Sequence, residues 1–219
     1  MKGKTYRLTA RLLAAMVVTL AAATLAYAMS ITAKEIIEKV QAKYEKLDNV
    51  ILNFTQSVKF KVNKSEQQAS GTLYFKKKNK YRIESDQHVI VTDGKTSWSY
   101  SPQNKQVIVD KYKEDTHSLS PEHLLVGYPQ DFYSSLIGEE KLGAESMYVL
   151  KLTPKEDNSF ATRLKLWVSK NWLIKKVETT DISGAVTTYT IKDIVIDKGI
   201  PDARFEFKPP QGVDVIDLR

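Results

Sequence analysis

The sequence contains no cysteine. This absence excludes disulfide bonds, thiol catalysis and zinc sites with thiolate ligands, and it excludes the acylated N-terminal cysteine of a bacterial lipoprotein. Histidine is scarce, with three residues in 219. His117 and His123 lie six residues apart in a polar stretch, whereas a metal site needs more ligands at tighter spacing. The stability of the fold must therefore come from burial and strand pairing alone.

The chain also lacks the short motifs of common enzyme sites. No Gly-x-Ser-x-Gly elbow surrounds a serine, and no P-loop or dinucleotide-binding fingerprint is present. The sequence therefore predicts no catalytic residue, no metal site and no cofactor.

Most of the basic excess is concentrated at the N-terminus. Four basic residues within positions 1–11 precede an apolar run over residues 12–25, and Ala26-Tyr27-Ala28 is a small-x-small cleavage site. The run is shorter than the roughly 20 residues that cross a bilayer. This pattern predicts a cleaved secretory signal peptide over residues 1–28, and a mature domain over residues 29–219 that leaves the cytoplasm.

The net charge of the mature chain is small. The whole sequence has 33 basic and 26 acidic residues, a formal charge of +7. Without the four basic residues of the signal the counts are 29 and 26, a net charge of +3. A nucleic-acid-binding function loses its main support, and we expect no nucleic-acid partner.

One amphipathic helix is predicted near the start of the mature chain. Thr32 and Glu35 form a capping box, and Asp48-Asn49 ends the helix. Apolar residues fall on one stripe at helical spacing between these signals. They are Ile36, Ile37, Val40, Tyr44 and Leu47.

Most of the remaining chain alternates apolar and polar residues between turn sequences, which predicts strands. Asp93-Gly94 is the strongest hairpin signal, because a type I′ turn needs positive φ at both central residues. The predicted strands cover residues 50–62, 67–76, 80–85, 88–92, 95–100, 105–111, 147–153, 161–169, 172–180, 185–197 and 204–207.

Residues 113–138 break the strand pattern. Ser120-Pro121-Glu122 predicts one helix start and Pro129 predicts another. Both helices are too short to be stable alone, so we expect them to lie on the sheet. Their apolar residues include Leu124, Leu125, Phe132 and Leu136.

These elements predict an α+β fold with a single long antiparallel sheet of about 10–11 strands, curled into an incomplete β-barrel. Three short helices would cover it as a lid. One side of the sheet is apolar and rich in large rings. Two interpretations stay open, namely a packed core under the helices, or a partly filled apolar face that leaves a cavity for an apolar ligand.

Several segments, taken together and in order, resemble the LolA family of periplasmic carriers that move lipoproteins to the outer membrane. The resemblance extends over residues 32–216. The segments are Phe54-Thr55-Gln56, Gly71-Thr72-Leu73-Tyr74-Phe75-Lys76 with Tyr81-Arg82, Val91-Thr92-Asp93-Gly94-Lys95, Trp98-Ser99-Tyr100-Ser101-Pro102-Gln103 and Phe205-Glu206-Phe207-Lys208-Pro209-Pro210-Gln211-Gly212-Val213.

The resemblance implies a non-enzymatic periplasmic chaperone that binds the acyl chains of lipoproteins under a helical lid. An inner-membrane lipoprotein-releasing ABC transporter would load it, an outer-membrane lipoprotein receptor would unload it, and we expect a monomer. The acyl-chain cavity would be lined by Leu73, Phe75, Tyr81, Ile83, Trp98 and Tyr100, with Leu124, Leu125, Phe132 and Leu136 covering it from the lid.

One basic position departs from the family pattern. An Arg-Pro pair normally follows the Gly-x-Leu-Tyr-Phe-Lys strand, and that arginine is thought to hold the lid closed. Lys77-Lys78 stands at the matching place. A lysine is a single point donor without the fork of a guanidinium group, so Lys77 and nearby Arg82 are both candidates for the lid latch.

An alternative function stays open. The same fold also serves in periplasmic sensor modules that bind lipid or lipoprotein without carrying it. Such sensors usually have an additional domain, for which a mature chain of 191 residues leaves no room.

Overall fold

The computed structural model describes residues 31–113, 132–156 and 161–219, which form mainly strands. One α-helix, α1, covers Ala33–Glu45 and a 3-10 helix covers Asp202–Phe205. The strands are β1 (Asn49–Lys59), β2 (Glu66–Lys76), β3 (Lys80–Ser85), β4 (Val89–Asp93), β5 (Thr96–Ser101), β6 (Gln106–Lys111), β7 (Phe132–Leu142), β8 (Glu145–Pro154), β9 (Arg163–Ser169), β10 (Ile174–Thr180), β11 (Val186–Ile196) and β12 (Asp214–Asp217).

All twelve strands form one sheet in the order β12-β6-β5-β4-β3-β2-β1-β11-β10-β9-β8-β7. Every neighbouring pair is antiparallel except β12 and β6, which are parallel. The prediction of one long antiparallel sheet is confirmed, with one strand more than the upper count expected. The sheet is open, because β12 and β7 are its two edges.

The pairing register gives the sheet two faces. Val50 lies opposite Phe75, and Leu52 lies opposite Leu73. Directly opposed residues point to the same side of a sheet, and we call the side that carries these four residues the front face. The other side is the back face. Alternation along each strand then assigns every other position.

The front face is tightly packed across β8, β9 and β10. Leu150 lies opposite Leu166, and Leu166 lies opposite Val177. Leu150, Leu164, Val168 and Ile174 are each no more than 1% exposed. We call this region the packed half of the front face.

Helix α1 reaches this packed half through its last turn. Its buried residues Ile36, Val40 and Tyr44 recur at helical spacing, as the sequence predicts. The Ile174 N–H donates a hydrogen bond of 3.3 Å to the Tyr44 hydroxyl. Burial raises the pKa of Tyr44 to about 12.

The described part of the chain contains no helix with the length and hydropathy of a membrane span.

The chain crosses the back face after β11. β11 pairs with β1, whereas β12 pairs with β6 at the sheet edge, and we call residues 197–213 between them the crossover segment. Asp202 in this segment accepts hydrogen bonds from Lys76 (2.6 Å) and Lys80 (2.7 Å), and Phe205 is fully buried. The crossover segment therefore covers the back face of β2 to β5.

The strand predicted over residues 204–207 is wrong, because Asp202–Phe205 is a 3-10 helix. Pro201 precedes the helix in an extended conformation, and it has no N–H for a strand ladder. A single turn places Phe205 in the core while the chain continues across the sheet. β12 was not predicted, because four residues without a buried side chain give no periodic signal.

The three short helices expected as a lid are not matched, since the described residues contain one α-helix, and the helix expected to start at Pro129 is wrong from Phe132 onward. Phe132 and Leu136 lie on β7, where Phe132 pairs with Pro154 and Leu136 with Leu150. A spacing of four residues fits one helix face and equally one strand face. The antiparallel ladder with β8 identifies the strand. Leu124 and Leu125 lie outside the described residues.

The predicted Asp93-Gly94 hairpin is confirmed between β4 and β5, but its turn type differs. Gly94 has a φ of +89°, while Asp93 is not among the residues with positive φ. The Asp93 carboxylate accepts hydrogen bonds from the N–H groups of Lys95 (2.8 Å) and Thr96 (2.7 Å). This side-chain turn replaces the second positive φ that a type I′ turn would need.

Candidate functional site: an uncharged, half-buried region of the front face

A second region of the front face keeps its apolar side chains only half-buried. It is formed by β1, β3, β4 and β11, where residues alternate between the two faces. The register places its members on the same side as Leu73 and Phe75. They are Phe54, Tyr81, Ile83, Ile90, Tyr189 and Ile191. We call the region that they form the half-open half of the front face.

Charge is absent from this side of the described strands β1 to β4 and β11. The polar side chains among the front-face positions are amides and hydroxyls, such as those of Gln56, Thr92 and Tyr189. Charged groups lie on the back of the same strands, for example Lys80, Arg82 and Glu84. The half-open half can therefore accept an apolar ligand without burying an unpaired charge.

Aromatic rings organise the centre of the region. The rings of Phe54 and Tyr189 meet edge to face with centroids 6.0 Å apart. The Gln56 side-chain amide donates a hydrogen bond of 3.1 Å to the Tyr189 hydroxyl, which fixes the tip of that ring. Burial raises the pKa of Tyr189 above its ordinary value, so this hydroxyl stays neutral at physiological pH.

Gly71 is required beneath the Phe54 ring. A methyl group at Gly71 would lie 2.8 Å from Cζ of Phe54 and 2.5 Å from the backbone oxygen of Glu84. The absent side chain lets the ring approach β2 closely, as aromatic residues do over glycine in sheets. Packing against Phe54 thus explains why the family segment begins with a glycine at position 71.

Tyr81 forms the second aromatic contact. Its ring meets that of Tyr112 edge to face with centroids 6.4 Å apart. Burial raises the pKa of Tyr81. Large rings with few rotamers provide apolar area at low entropic cost, so both aromatic pairs suit the binding of hydrocarbon.

The six predicted cavity residues divide between the two faces. Leu73, Phe75, Tyr81 and Ile83 lie on the front face. Trp98 lies opposite Val91 and Tyr100 lies opposite Val89, on the back face. The expectation that all six share one side is therefore corrected. Leu73 and Phe75 are 9% and 5% exposed, so they form the floor of the region.

Trp98 and Tyr100 belong to a separate apolar cluster on the back face. Tyr100 contacts Phe207 of the crossover segment with ring centroids 5.7 Å apart. Val91, Val107 and Val109 on this face are at most 4% exposed. This cluster attaches the crossover segment to the sheet.

The two latch candidates lie in different surroundings. β2 ends at Lys76, so Lys77 stands in the following turn, where its Nζ is 3.7 Å from the Asp48 carboxylate. Arg82 lies on the back face and donates a hydrogen bond from Nε to Glu84. Glu84 is also 3.7 Å from the guanidinium of Arg204. Arg82 therefore helps to hold the crossover segment.

Phe54, Ile90, Tyr189 and Ile191 were not predicted as site residues. Alternation placed Tyr189 and Ile191 on one parity, and Phe54 stands in a family segment. Neither signal showed that β11 pairs with β1, which brings these residues together. The described residues contain no cluster of three or more His, Asp or Glu side chains that could hold a metal ion.

Comparisons with known proteins identify a family and several relatives. The profile of the family described as "Outer membrane lipoprotein carrier protein LolA" matches residues 45–208. An outer-membrane lipoprotein carrier protein of Histophilus somni is 28% identical over 193 residues, which cover 87% of this chain and 91% of the relative. One from Haemophilus influenzae is 28% identical over 202 residues, which cover 91% and 95%.

Comparison with solved structures gives matches of lower identity. The crystal structure of a LolA superfamily protein from Nitrosomonas europaea has a TM-score of 0.43 and 17% identity, and the match covers 81% of this chain and 99% of that one. The family profile matches well over half of the 219 residues. The chain therefore belongs to the LolA family, which confirms the resemblance seen in the sequence.

Proposed function

We propose that this member of the LolA family is a carrier that binds the acyl chains of lipoproteins and delivers them to the outer membrane. The observation that carries the proposal is the uncharged, half-buried apolar region on the front face of β1, β3, β4 and β11. Relatives that align with most of this chain bear the name of outer-membrane lipoprotein carriers.

The chemistry of the cargo explains why such a region is needed. Burying one methylene group is worth about 0.8 kcal/mol. At that value per methylene, exposing three acyl chains to water would cost on the order of tens of kcal/mol. A carrier has to cover this surface and still release it. Side chains that are half-buried without ligand offer the contact area, while their existing contacts limit the net affinity.

The site residues in this proposal are Tyr81 and Ile83 with Phe54 and Tyr189, over a floor that includes Leu73 and Phe75. Trp98 and Tyr100 are left out, because they lie on the other face. Leu124 and Leu125 stay as proposed lid residues from the family resemblance, and Lys77 stays as the proposed latch. The binding step needs no catalytic group.

The route of the carrier is proposed from the family. The signal-like residues 1–28 support export to the periplasm. There the protein would act as a monomer, take lipoproteins from an inner-membrane lipoprotein-releasing ABC transporter and pass them to an outer-membrane lipoprotein receptor.

A release assay tests the binding step. Inner-membrane vesicles that carry labelled lipoprotein are incubated with the protein, and the soluble fraction is separated by gel filtration. We expect a soluble one-to-one complex of protein and lipoprotein. A label that stays with the vesicles would contradict the carrier function, and binding without release would favour a sensor.

A matched pair of variants locates the site. Ile83→Glu places a carboxylate on the half-open half, whereas Ile51→Glu places one on the back face of β1, at a residue that is also half-buried. We expect Ile83→Glu to lower the yield of complex at least tenfold and Ile51→Glu to leave it near normal. Circular dichroism confirms that both variants fold. Equal yields would move the site away from the front face.

A further inference from the structure

Two hairpin turns at one end of the sheet each expose a large aliphatic side chain. Val62 in the β1–β2 turn is 92% exposed and Ile182 in the β10–β11 turn is 85% exposed. Single exposed aliphatic residues are ordinary on protein surfaces. These two have the highest exposure of any large hydrophobic residue in the described ranges, and we call them the tip pair.

The two turns are neighbours. β1 and β11 are adjacent, and their last pair joins Lys59 to Val186 directly below the turns. A methyl group placed on Gly184 would lie 3.0 Å from Cδ of Lys61, so the two turns are in contact. The tip pair therefore projects from one continuous edge of the molecule.

Each turn is held by its own side chains. The Asn63 side-chain oxygen accepts hydrogen bonds from the Ser65 N–H (3.1 Å) and hydroxyl (2.7 Å). The Asp181 carboxylate accepts hydrogen bonds from the N–H groups of Ser183 (2.8 Å) and Ala185 (2.9 Å). An aliphatic side chain on such a turn can be inserted elsewhere without ordering the backbone first, which lowers the entropic cost of contact.

The charge beside the tip pair is positive. Lys61 and Lys64 are exposed on either side of Val62, and the ion pairs among the described residues leave both without a carboxylate partner. Two acidic groups of these hairpins are already engaged, since Glu66 pairs with Lys59 at 3.8 Å and Asp181 accepts hydrogen bonds within its own turn. Two ammonium groups thus stand ready beside the exposed aliphatic residues.

The pattern fits a membrane surface better than a protein. A stable protein interface buries a continuous area of about 1,000 Å² or more in total, whereas the tip pair consists of two side chains interrupted by lysines. A bilayer takes up single aliphatic side chains at its acyl boundary, while lysines meet the phosphates of anionic lipids.

We propose that the tip pair docks onto the surface of an anionic phospholipid bilayer. Val62 and Ile182 enter the acyl boundary, and Lys61 and Lys64 meet lipid phosphates. The inference extends the proposed function, because a carrier of acylated proteins meets a membrane at each end of its route. Two aliphatic side chains provide a weak and reversible contact, roughly ten- to hundredfold in the partition constant for each.

Labelling at single cysteines tests the contact, since the chain has no cysteine of its own. Val62→Cys and Ile182→Cys are labelled with nitrobenzoxadiazole in the exported, processed protein. Ile137→Cys and Leu218→Cys are the controls, at residues that are 49% and 60% exposed away from these turns. Vesicles contain phosphatidylethanolamine with phosphatidylglycerol, or phosphatidylcholine alone, and no lipoprotein.

We expect a blue shift and brighter emission at positions 62 and 182 with the anionic vesicles, and unchanged spectra at positions 137 and 218. Unchanged emission at both tip positions would overturn the proposal, and so would an equal response at all four. Because the vesicles hold no lipoprotein, a failure here leaves the carrier function untouched. Likewise, failure of the release assay alone leaves the membrane contact standing.

A double variant measures the strength of the contact. Val62→Ser with Ile182→Ser should lower co-sedimentation with anionic vesicles at least about tenfold, while Ile137→Ser with Leu218→Ser should leave it unchanged. Undiminished co-sedimentation of the first double variant would overturn the proposal. Undiminished co-sedimentation combined with impaired transfer of lipoprotein to a receptor would instead assign these turns to a protein partner.

Discussion

The packed half and the half-open half of the front face use the same kinds of side chain and bury them to different extents. Leu164 and Ile174 in the packed half are at most 1% exposed, while Ile83 and Tyr189 on the other half stay half-buried. A β-sheet needs only part of its apolar face to be stable. The difference teaches that the packed half stabilises the fold, while the half-open half keeps the apolar area that the proposed function assigns to a ligand.

Truncating one aliphatic residue in each half gives the largest expected contrast. Leu164→Ala should lower the free energy of unfolding by about 3 kcal/mol, because it leaves a cavity in a closely packed site. Ile83→Ala should lower it by only about 1 kcal/mol, since that side chain is already partly exposed to solvent. Urea denaturation of both variants measures the two losses. Equal losses would mean that the two halves are packed alike.

Alkaline pH should act on the packed half through Tyr44. Burial raises the pKa of Tyr44 from 10.0 to about 12 in the folded state. The neutral hydroxyl is favoured by folding, so its contribution is complete below pH 10 and is lost as the pH rises towards about 12. Unfolding measured across this range should show a loss of about 2 kcal/mol that Tyr44→Phe lacks. An identical pH slope in that variant would contradict the assignment.

Replacing one turn glycine beside each half with alanine compares how closely the two turns are packed. Gly94 beside β4 has a φ of +89°, and a methyl group there would lie 2.3 Å from the Lys78 carbonyl oxygen. Gly143 in the β7–β8 turn has a φ of +64° and no neighbouring atom within 4 Å. Gly94→Ala should cost about 1.5 kcal/mol and Gly143→Ala about 1 kcal/mol, since only the first adds a steric clash to the strained φ.

Thermal unfolding of the two alanine variants measures this difference. If Gly143→Ala destabilised the protein more than Gly94→Ala, the contact between the β2–β3 and β4–β5 turns would have no role in holding the half-open half.

The smallest expected effect concerns the attachment of the crossover segment behind the half-open half. Hydrogen bonds from Lys76 and then Lys80 lower the pKa of Asp202 to about 2. A lowered pKa means that the carboxylate stabilises the fold above its ordinary value of 3.8, and that this contribution is lost as the pH falls through about 2. Asp202→Asn should slightly lower the melting temperature at neutral pH.

Because Asp202 is solvent-exposed, salt should reduce the difference between Asp202→Asn and the original protein. A difference that persisted at high salt and at pH about 2 would show that the ion pairs are not its cause.

Local patterns predicted α1, most of the strands and the parity within each strand, because these depend on nearby residues. The relation between strands was harder to predict. Each residue added to a connection moves the side chains of the following strand to the opposite face of the sheet. For this reason the sequence placed Trp98 and Tyr81 together, although they lie on opposite faces. Phe132 and Leu136 fit two periodicities, and only the pairing with β8 decides between them.

The site depended even more on long-range pairing. Phe54 and Tyr189 are 135 positions apart, and they meet because β11 returns to lie beside β1. No window of the sequence contains that information. The uncharged character of the front face also becomes visible only once the register aligns the strands.

The crossover segment limits how the molecule can change its capacity. It joins β11 to β12, which are seven strand spacings apart in the sheet, about 34 Å at roughly 4.8 Å each. It is fastened at Asp202, Arg204 and Phe207. Because it is attached across the back face, the crossover segment keeps strands β2 to β6 from separating. Any expansion of the sheet to admit a larger ligand must therefore occur on the front face, away from the crossover segment.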